Sequence, residues 1–327
     1  MNMKKLNVAL AILATVAMAG NAQTTATSET VGYQTSTIAG KGVGSSFLSF
    51  VPNNLAKAAI HTGAGTAAGT VVTLAGASLS GSIGPVSGVP THYLLVKTGA
   101  GAGFVSDVTA FTAGSVTTAD DLSSSISAGT TVSVVPHSKL TDILGTTTGL
   151  LVTGGSTVSA ADNVYLVDAA GALKIYYYKT GVGAGWKTSS GTDATATIVY
   201  PGESIMVSRK QTAPVSVVTV GQVASEQTKA VFTQNMNSAC NGAPMALTLS
   251  SLYPTISGGS TVSAADNVFL INPTTGALDI FYYKTGVGAG WKTAAGANAD
   301  ATRDISSGYL VKRKVATAAV LTQTKTW

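Results

Sequence analysis

The chain has 327 residues, only 10% of them charged, and a formal charge of +5 at pH 7. Losing Lys4 and Lys5 with the leader described below lowers that charge by two, too weak a balance for a nucleic-acid surface or for strong attraction to an anionic membrane. A hydrophobic content of 45% excludes a largely disordered chain, while abundant Val, Thr and Gly favour strands punctuated by turns.

Met1–Ala22 reads as a secretory signal: Lys4 and Lys5, the apolar run Leu6–Ala19, then the small residues Gly20-Asn21-Ala22. The run is too short to span a bilayer, and no Cys follows to carry a lipid, so the mature chain is expected from Gln23 with no transmembrane segment. An outer-membrane barrel is disfavoured, because stepping back by two from Trp327 gives Lys325 and Gln323 where lipid-facing residues belong. Strands are expected at Thr30–Thr37, Ser46–Val51, His92–Lys97 and Thr130–Pro136, with a helical turn at Lys139–Leu144. His61–Leu79 reads as a Gly/Ala/Thr stretch, Ser80–Val89 as a loop.

A repeat follows. Gly154–Thr188 recurs as Gly258–Thr293, with 28 of 35 positions identical and one residue inserted at the first turn. Each copy scans as strand, turn, strand, glycine loop, strand. In Ala172–Thr180 the alternate residues Leu173, Ile175, Tyr177 and Lys179 share a face that the second copy keeps as Leu278, Ile280, Tyr282 and Lys284. The other face drifts from Lys174 to Asp279, so the unchanged face is assigned to the core. The loop Lys179-Thr180-Gly181-Val182-Gly183-Ala184-Gly185-Trp186 lacks the Gly-Lys-Ser/Thr ending of a phosphate-binding loop and is followed by no helix start, so it reads as a connection and implies no cofactor. A weaker form occurs at Lys97–Phe104.

Thr195–Tyr200 and Ser204–Arg209 read as a hairpin about Pro201-Gly202. Gln211–Val215 reads as a linker, after which Thr219-Val220-Gly221-Gln222 echoes Thr30-Val31-Gly32-Tyr33. Ala230–Pro244 reads as loop and Ala318–Trp327 as an edge strand.

No catalytic constellation stands out. His61, His92 and His137 are separated in sequence, and the three Glu residues, Glu29, Glu203 and Glu226, form no pair, so neither a metal centre nor an enzyme is expected. Asp162 reads as a cap or turn residue, with calcium held by Asp162, Asn163 and Asp168 as the sharper alternative. Cys240 reads as a buried thiol, with pairing between chains as the alternative. Lys312-Arg313-Lys314 reads as a solvated strand end. The candidate ligand-binding set is Tyr176, Tyr178 and Trp186 with Phe281, Tyr283 and Trp291: exposed, such rings would stack on sugars. Core filling is the competing and favoured reading.

Thr30-Val31-Gly32-Tyr33, Ala161-Asp162-Asn163-Val164-Tyr165-Leu166, Tyr176-Tyr177-Tyr178, Gly185-Trp186 and Pro201-Gly202-Glu203 before Arg209-Lys210 resemble a family of uncharacterised exported proteins of verrucomicrobial bacteria. The second copy departs from the pattern, with Ser306-Ser307-Gly308 in place of Pro-Gly-Glu. The resemblance implies export and a β-rich module, and no activity.

The expectation is an all-β chain with little helix: a signal at 1–22 and two β-sandwich or barrel-like domains from an internal duplication, 23–212 and 213–327. The expected function is an exported, non-catalytic structural or surface-assembly protein that associates through β-edges, at the cell surface, in the medium or in the periplasm. A carbohydrate-binding or adhesive module, with a polysaccharide partner, is the alternative.

Overall fold

The computed structural model describes residues 30–42, 47–224, 227–242 and 246–324. The signal assigned to 1–22, and Lys325 and Trp327, lie outside them. The fold is nearly all β, with every ladder between its strands antiparallel.

The chain begins with β1 (Val31–Ile38), β2 (Leu48–Pro52) and β3 (Leu55–Ala56). It then leaves this sheet region to build a closed six-stranded barrel from β4 (His61–Ala68), β5 (Val71–Leu74), β6 (His92–Val96), β7 (Val105–Phe111), β8 (Ser115–Thr118) and β9 (Thr130–Pro136), in the order β4-β5-β8-β7-β6-β9. The Gly/Ala/Thr stretch His61–Leu79 supplies two of these strands, β4 and β5. Its small residues are what the barrel interior admits: a Cβ on Gly65 would sit 2.9 Å from a methyl of Val132. Val72, Leu74, Leu94, Val96, Val108, Val116, Val132 and Val134 fill the interior, so this is a packed core and no channel.

The chain returns through β10 (Ser138–Lys139), the one-turn helix α1 (Leu140–Leu144), and then β11 (Asn163–Val167), β12 (Leu173–Lys179), β13 (Gly185–Thr188), β14 (Ile198–Val199), β15 (Ser204–Ser208) and β16 (Val215–Val223). Next come β17 (Gln227–Phe232), β18 (Asn235–Ala239), a 3-10 turn Leu249–Leu252, β19 (Asn267–Ile271), β20 (Leu278–Lys284), β21 (Gly290–Thr293), β22 (Tyr309–Arg313) and β23 (Ala319–Thr324). Ala230–Pro244, read as loop because NMNSA is poor in β-formers, thus contains β18 and the end of β17, held in place by pairing with β22 and β23.

The two repeats occupy corresponding places in two five-stranded sheets, ordered β13-β12-β11-β15-β2 and β21-β20-β19-β22-β18. The correspondence extends beyond the repeated residues. Tyr165 pairs with Met206 and Met206 with Phe50, as Phe269 pairs with Leu310 and Leu310 with Ser238. Two ribbons also correspond, β1 with β16 and β17 with β23: the buried Ile38 faces Val215 as the buried Phe232 faces Ala319. The strand after the expected boundary at 212/213, β16, pairs along its length with β1 and so completes the first half. The echo of Thr30–Tyr33 in Thr219–Gln222 is one strand lying across from the other, with Gly221 opposite Gly32.

Period-two alternation explains how the sheets stack. Val164 and Leu166 point into the core of the first half, and Val268 and Leu270 into that of the second. Tyr165 and Val167, with Phe269 and Ile271, point the other way and form a shared layer with Phe50, Met206 and Leu310. The packing is reciprocal, β11 on β18 and β19 on β2, as at a two-fold interface. Gly171 seats its turn against Asn235 and Met236, and Gly276 seats its own against Phe47. Both have positive φ, 76° and 68°, so each turn needs glycine for conformation and for clearance.

Two expectations change here. Across β11 and β12, Val164 faces Tyr176 and Tyr165 faces Ile175. Tyr176 and Tyr178 therefore belong to the core side, and Leu173 and Ile175 to the opposite side, where Leu173 is 43% exposed. Tyr177 and Tyr282 on that opposite side are buried, but outside the two principal cores. The charge reversal was misleading because it lies near the strand's end: Lys174 pairs with Asp168 at 3.2 Å and Asp279 with Arg303 at 3.6 Å. The hairpin about Pro201-Gly202 does not form either, since β14 pairs with β10, and β15 with β11 and β2.

Candidate functional site

The six candidate aromatics form no exposed strip. Trp186 is buried and donates from Nε1 to the carbonyl of Gly145 at 2.9 Å, while Tyr178 meets it edge-on at 5.8 Å between centroids. Tyr283 and Trp291 repeat that pair at 5.8 Å, and Tyr253 stacks on Tyr283 at 3.6 Å. Phe281 is buried and Tyr176 packs partly buried against the first core. The glycine loops turn each Trp back under the sheet, so the rings anchor cores.

Asp162 and Asp266 are also structural. Asp162 is fully buried and accepts from the backbone N–H groups of Thr153 at 2.7 Å and Lys210 at 2.6 Å, with Arg209 at 3.8 Å. Asp266 accepts from Ser257 at 2.8 Å and Lys314 at 2.7 Å, with Arg313 at 3.2 Å. These donors occupy the oxygens that calcium would need. Asp168 lies elsewhere, accepting from Ala170 and Ala172 in its own turn. Arg313, expected in solvent, is buried by the same ion pair.

Among the described residues, one concave feature is a cleft of about 520 Å³ where the barrel meets both halves. Four acids line it, Asp107, Asp120, Asp168 and Glu203, together with Tyr200, Lys229 and the apolar Val167, Phe232 and Met236. The sequence shows no such convergence, because the β7–β8 hairpin supplies Asp107 and Asp120, the end of β11 supplies Asp168 and the turn after β14 supplies Glu203. Each carboxylate is engaged by its own chain. Asp107 takes Nε2 of the buried His137 at 2.9 Å on one oxygen and the hydroxyl of Tyr200 at 2.9 Å on the other. The His137 ring lies between those of Tyr93, at 4.9 Å, and Tyr200, at 5.1 Å. His137 thus has an acidic partner that sequence spacing could not reveal. Asp120 accepts from Ser106 at 2.7 Å. Burial raises the Tyr200 phenol well above its ordinary range, with Asp107 adding to the effect, so it stays a donor.

Glu203 differs from the other three. It is partly exposed as a residue, yet its carboxyl is enclosed: one oxygen accepts from the N–H of Tyr200 at 3.1 Å, and burial pushes its pKa up to about 7. Its turn is a junction. Gly202 donates to Asn53 and accepts from Cys240, while Tyr200 reaches the barrel through Asp107. Cys240 is buried, its thiol donates to the Glu203 carbonyl at 3.3 Å, and burial pushes it up to about 12. A thiol so enclosed is neither a nucleophile nor accessible for pairing. Among the described residues no three His, Cys, Asp or Glu converge to hold a metal. The cleft thus joins the barrel to both halves, with Asp107, Asp120, Asp168 and Glu203 each bonded to other groups of the chain.

The remaining candidate is a surface. On the outer face of the first ribbon, Tyr33, 79% exposed, faces the exposed Val220, with the exposed Val31 and Val218 beside them. Among the described residues β1 is an edge, hydrogen-bonded within its sheet to β16 alone, with β2 packed beside it. Its residues VGYQTSTI include neither a charge nor a proline, the devices that usually block an edge. No family model, curated protein or solved structure matches the chain.

Proposed function

We propose that the chain is an exported, non-catalytic structural protein that self-associates through the edge and outer face of its first ribbon. The observation that carries this reading is the contiguous apolar face of Val31, Tyr33, Val218 and Val220 beside an unblocked edge strand. Isolated exposed apolar residues are ordinary, but a cross-strand group on an open edge favours pairing with another chain. The engagement of every acid in the cleft supports a non-catalytic role, and the leader at Met1–Ala22 and the resemblance to exported β-rich proteins support export. The sugar-binding alternative loses its motive, since its aromatic rings lie in the cores.

The test is sedimentation of the purified mature chain over a concentration series, with electron microscopy of the most concentrated sample. Oligomers or fibres that grow with concentration, and that disperse in Tyr33→Asp, are the expected result. Monomers at every concentration would end this reading.

A further inference from the structure

We infer that the first ribbon is covered by a glycine loop from a second copy of this chain; the inference rests on the self-association proposed above and specifies its contact. The molecule already contains this contact once, internally. The barrel loop Lys97–Phe104 rests on β17 of the second ribbon. Lys229 donates to the carbonyl of Ala100 at 3.1 Å, its ammonium lies 4.1 Å from the centroid of the Phe104 ring, and a Cβ on Gly103 would meet the carbonyl of Gln227 at 2.9 Å. The second ribbon thus has its β17 side occupied by a Lys-Thr-Gly-x-Gly-Ala-Gly-aromatic loop.

The same parts occur again with their tips exposed among the described residues. The loops Lys179–Trp186 and Lys284–Trp291 spell the same word and close the same turn. Ala102, Ala184 and Ala289 donate to Gly99, Gly181 and Gly286 at 3.1, 3.1 and 3.0 Å, and those glycines have φ of 79°, 77° and 78°. Their tips project into solvent, with Val182 95% and Val287 94% exposed. On the first ribbon, counterpart of the occupied one, Tyr33, Val218 and Val220 are exposed among the described residues.

The differences between the sets are complementary. Where the docked loop carries Ala100, the free loops carry Val182 and Val287. Where the occupied ribbon carries Gln227, Thr322 and Thr324, the open ribbon carries Tyr33, Val218 and Val220. At this end of the ribbons a small tip meets polar residues within the chain, and a larger apolar tip is matched by apolar residues left for another chain; toward the other end the pattern reverses, with the exposed Val231 and Val320 of the second ribbon in the places of Thr37 and Ser216. Joining loop to ribbon uses two different surfaces, so the contact is heterologous, and copies add head to tail into an open string unless rotation closes a ring.

The experiment compares sedimentation of the full chain, of a loop variant Val182→Asp/Val287→Asp, and of a ribbon variant Tyr33→Asp/Val220→Asp, with circular dichroism reporting the fold. The loop tips touch so little that their variant keeps its structure even if the ribbon variant does not. Expected are association weakened about tenfold or more in each variant, and complexes of two or three copies, no larger, when the two variants are mixed, because the ribbon variant keeps two loops and each loop variant keeps one ribbon. Normal assembly of the folded loop variant would overturn the loop-to-ribbon contact while leaving self-association standing. A wild-type chain that stays monomeric would overturn both.

Discussion

The first and second halves share a sheet order, a Trp beneath a glycine loop and a buried aspartate–arginine pair, and they part company at one turn. In the first half the turn is Pro201-Gly202-Glu203 leading to Ser204; in the second, strand pairing places Ile305-Ser306-Ser307 there, leading to Gly308, one residue earlier than the sequence comparison set it. What is shared builds each half, and what differs joins the halves to each other and to the barrel. At the shared layer Phe50 covers Gly308, whereas its counterpart Ser238 meets Ser204 hydroxyl to hydroxyl at 3.0 Å. One bulky ring over a glycine faces two small side chains across a pseudo-two-fold, which fixes the two halves in one relation without a gap.

The comparison breaks most severely at what is common. Asp162→Ala or Asp266→Ala leaves a buried guanidinium without its counter-charge, at a cost of about 3–5 kcal/mol. Asp266→Ala is expected to cost the more, since Arg313 approaches to 3.2 Å and Arg209 only to 3.8 Å. Urea unfolding measures both, and losses near zero would mean that neither pair holds its half together.

The asymmetric turn comes next. Gly308→Ser imports the first half's residue, but its Cβ would lie 2.7 Å from Phe50 at a φ of 152°, and about 2 kcal/mol of stability should be lost. Ser204→Gly, the reverse exchange, should cost less. Equal losses in thermal unfolding would remove the asymmetry.

The smallest effect separates the halves by pH. Burial raises the Glu203 carboxyl from 4.5 to about 7, and the unfolded chain returns it to the ordinary value. Between those limits the folded chain holds the extra proton, so this group's contribution is full below about 4.5, falls as pH rises to about 7, and is flat above. Glu203→Gln should remove that fall from a plot of Tm against pH. Ser307 stands in its place in the second half and has nothing to titrate there.

Local pattern made much of this fold readable. Thr130–Pro136 is β9 to the residue, and the turn at Lys139–Leu144 is α1, because alternation and short apolar runs act within a few residues. The barrel was hidden because β4 is built of Gly, Ala and Thr, chosen for how little space they take opposite Val132 and Val72, and small residues carry no strand signal. The orientation of β12 was misread because a charge at a strand's end speaks for the end and not for the face. The aromatic residues were the right ones to single out for packing. The acidic cleft was out of reach, since its members come from three separate stretches and meet only after the barrel docks.

The barrel is spliced into the first half between β3 and β10, and its two crossings lie side by side. Ile60 on the way in donates to Val134 at 2.9 Å, and Lys57 bonds Asp142 across the exit at 2.6 Å. A passenger domain with equally close ends would fit the same splice with the frame intact, losing the seat on β17. The barrel is thus an insertion that enters and leaves the first half at one place, so the five-stranded sheet of that half is assembled from chain on either side of it.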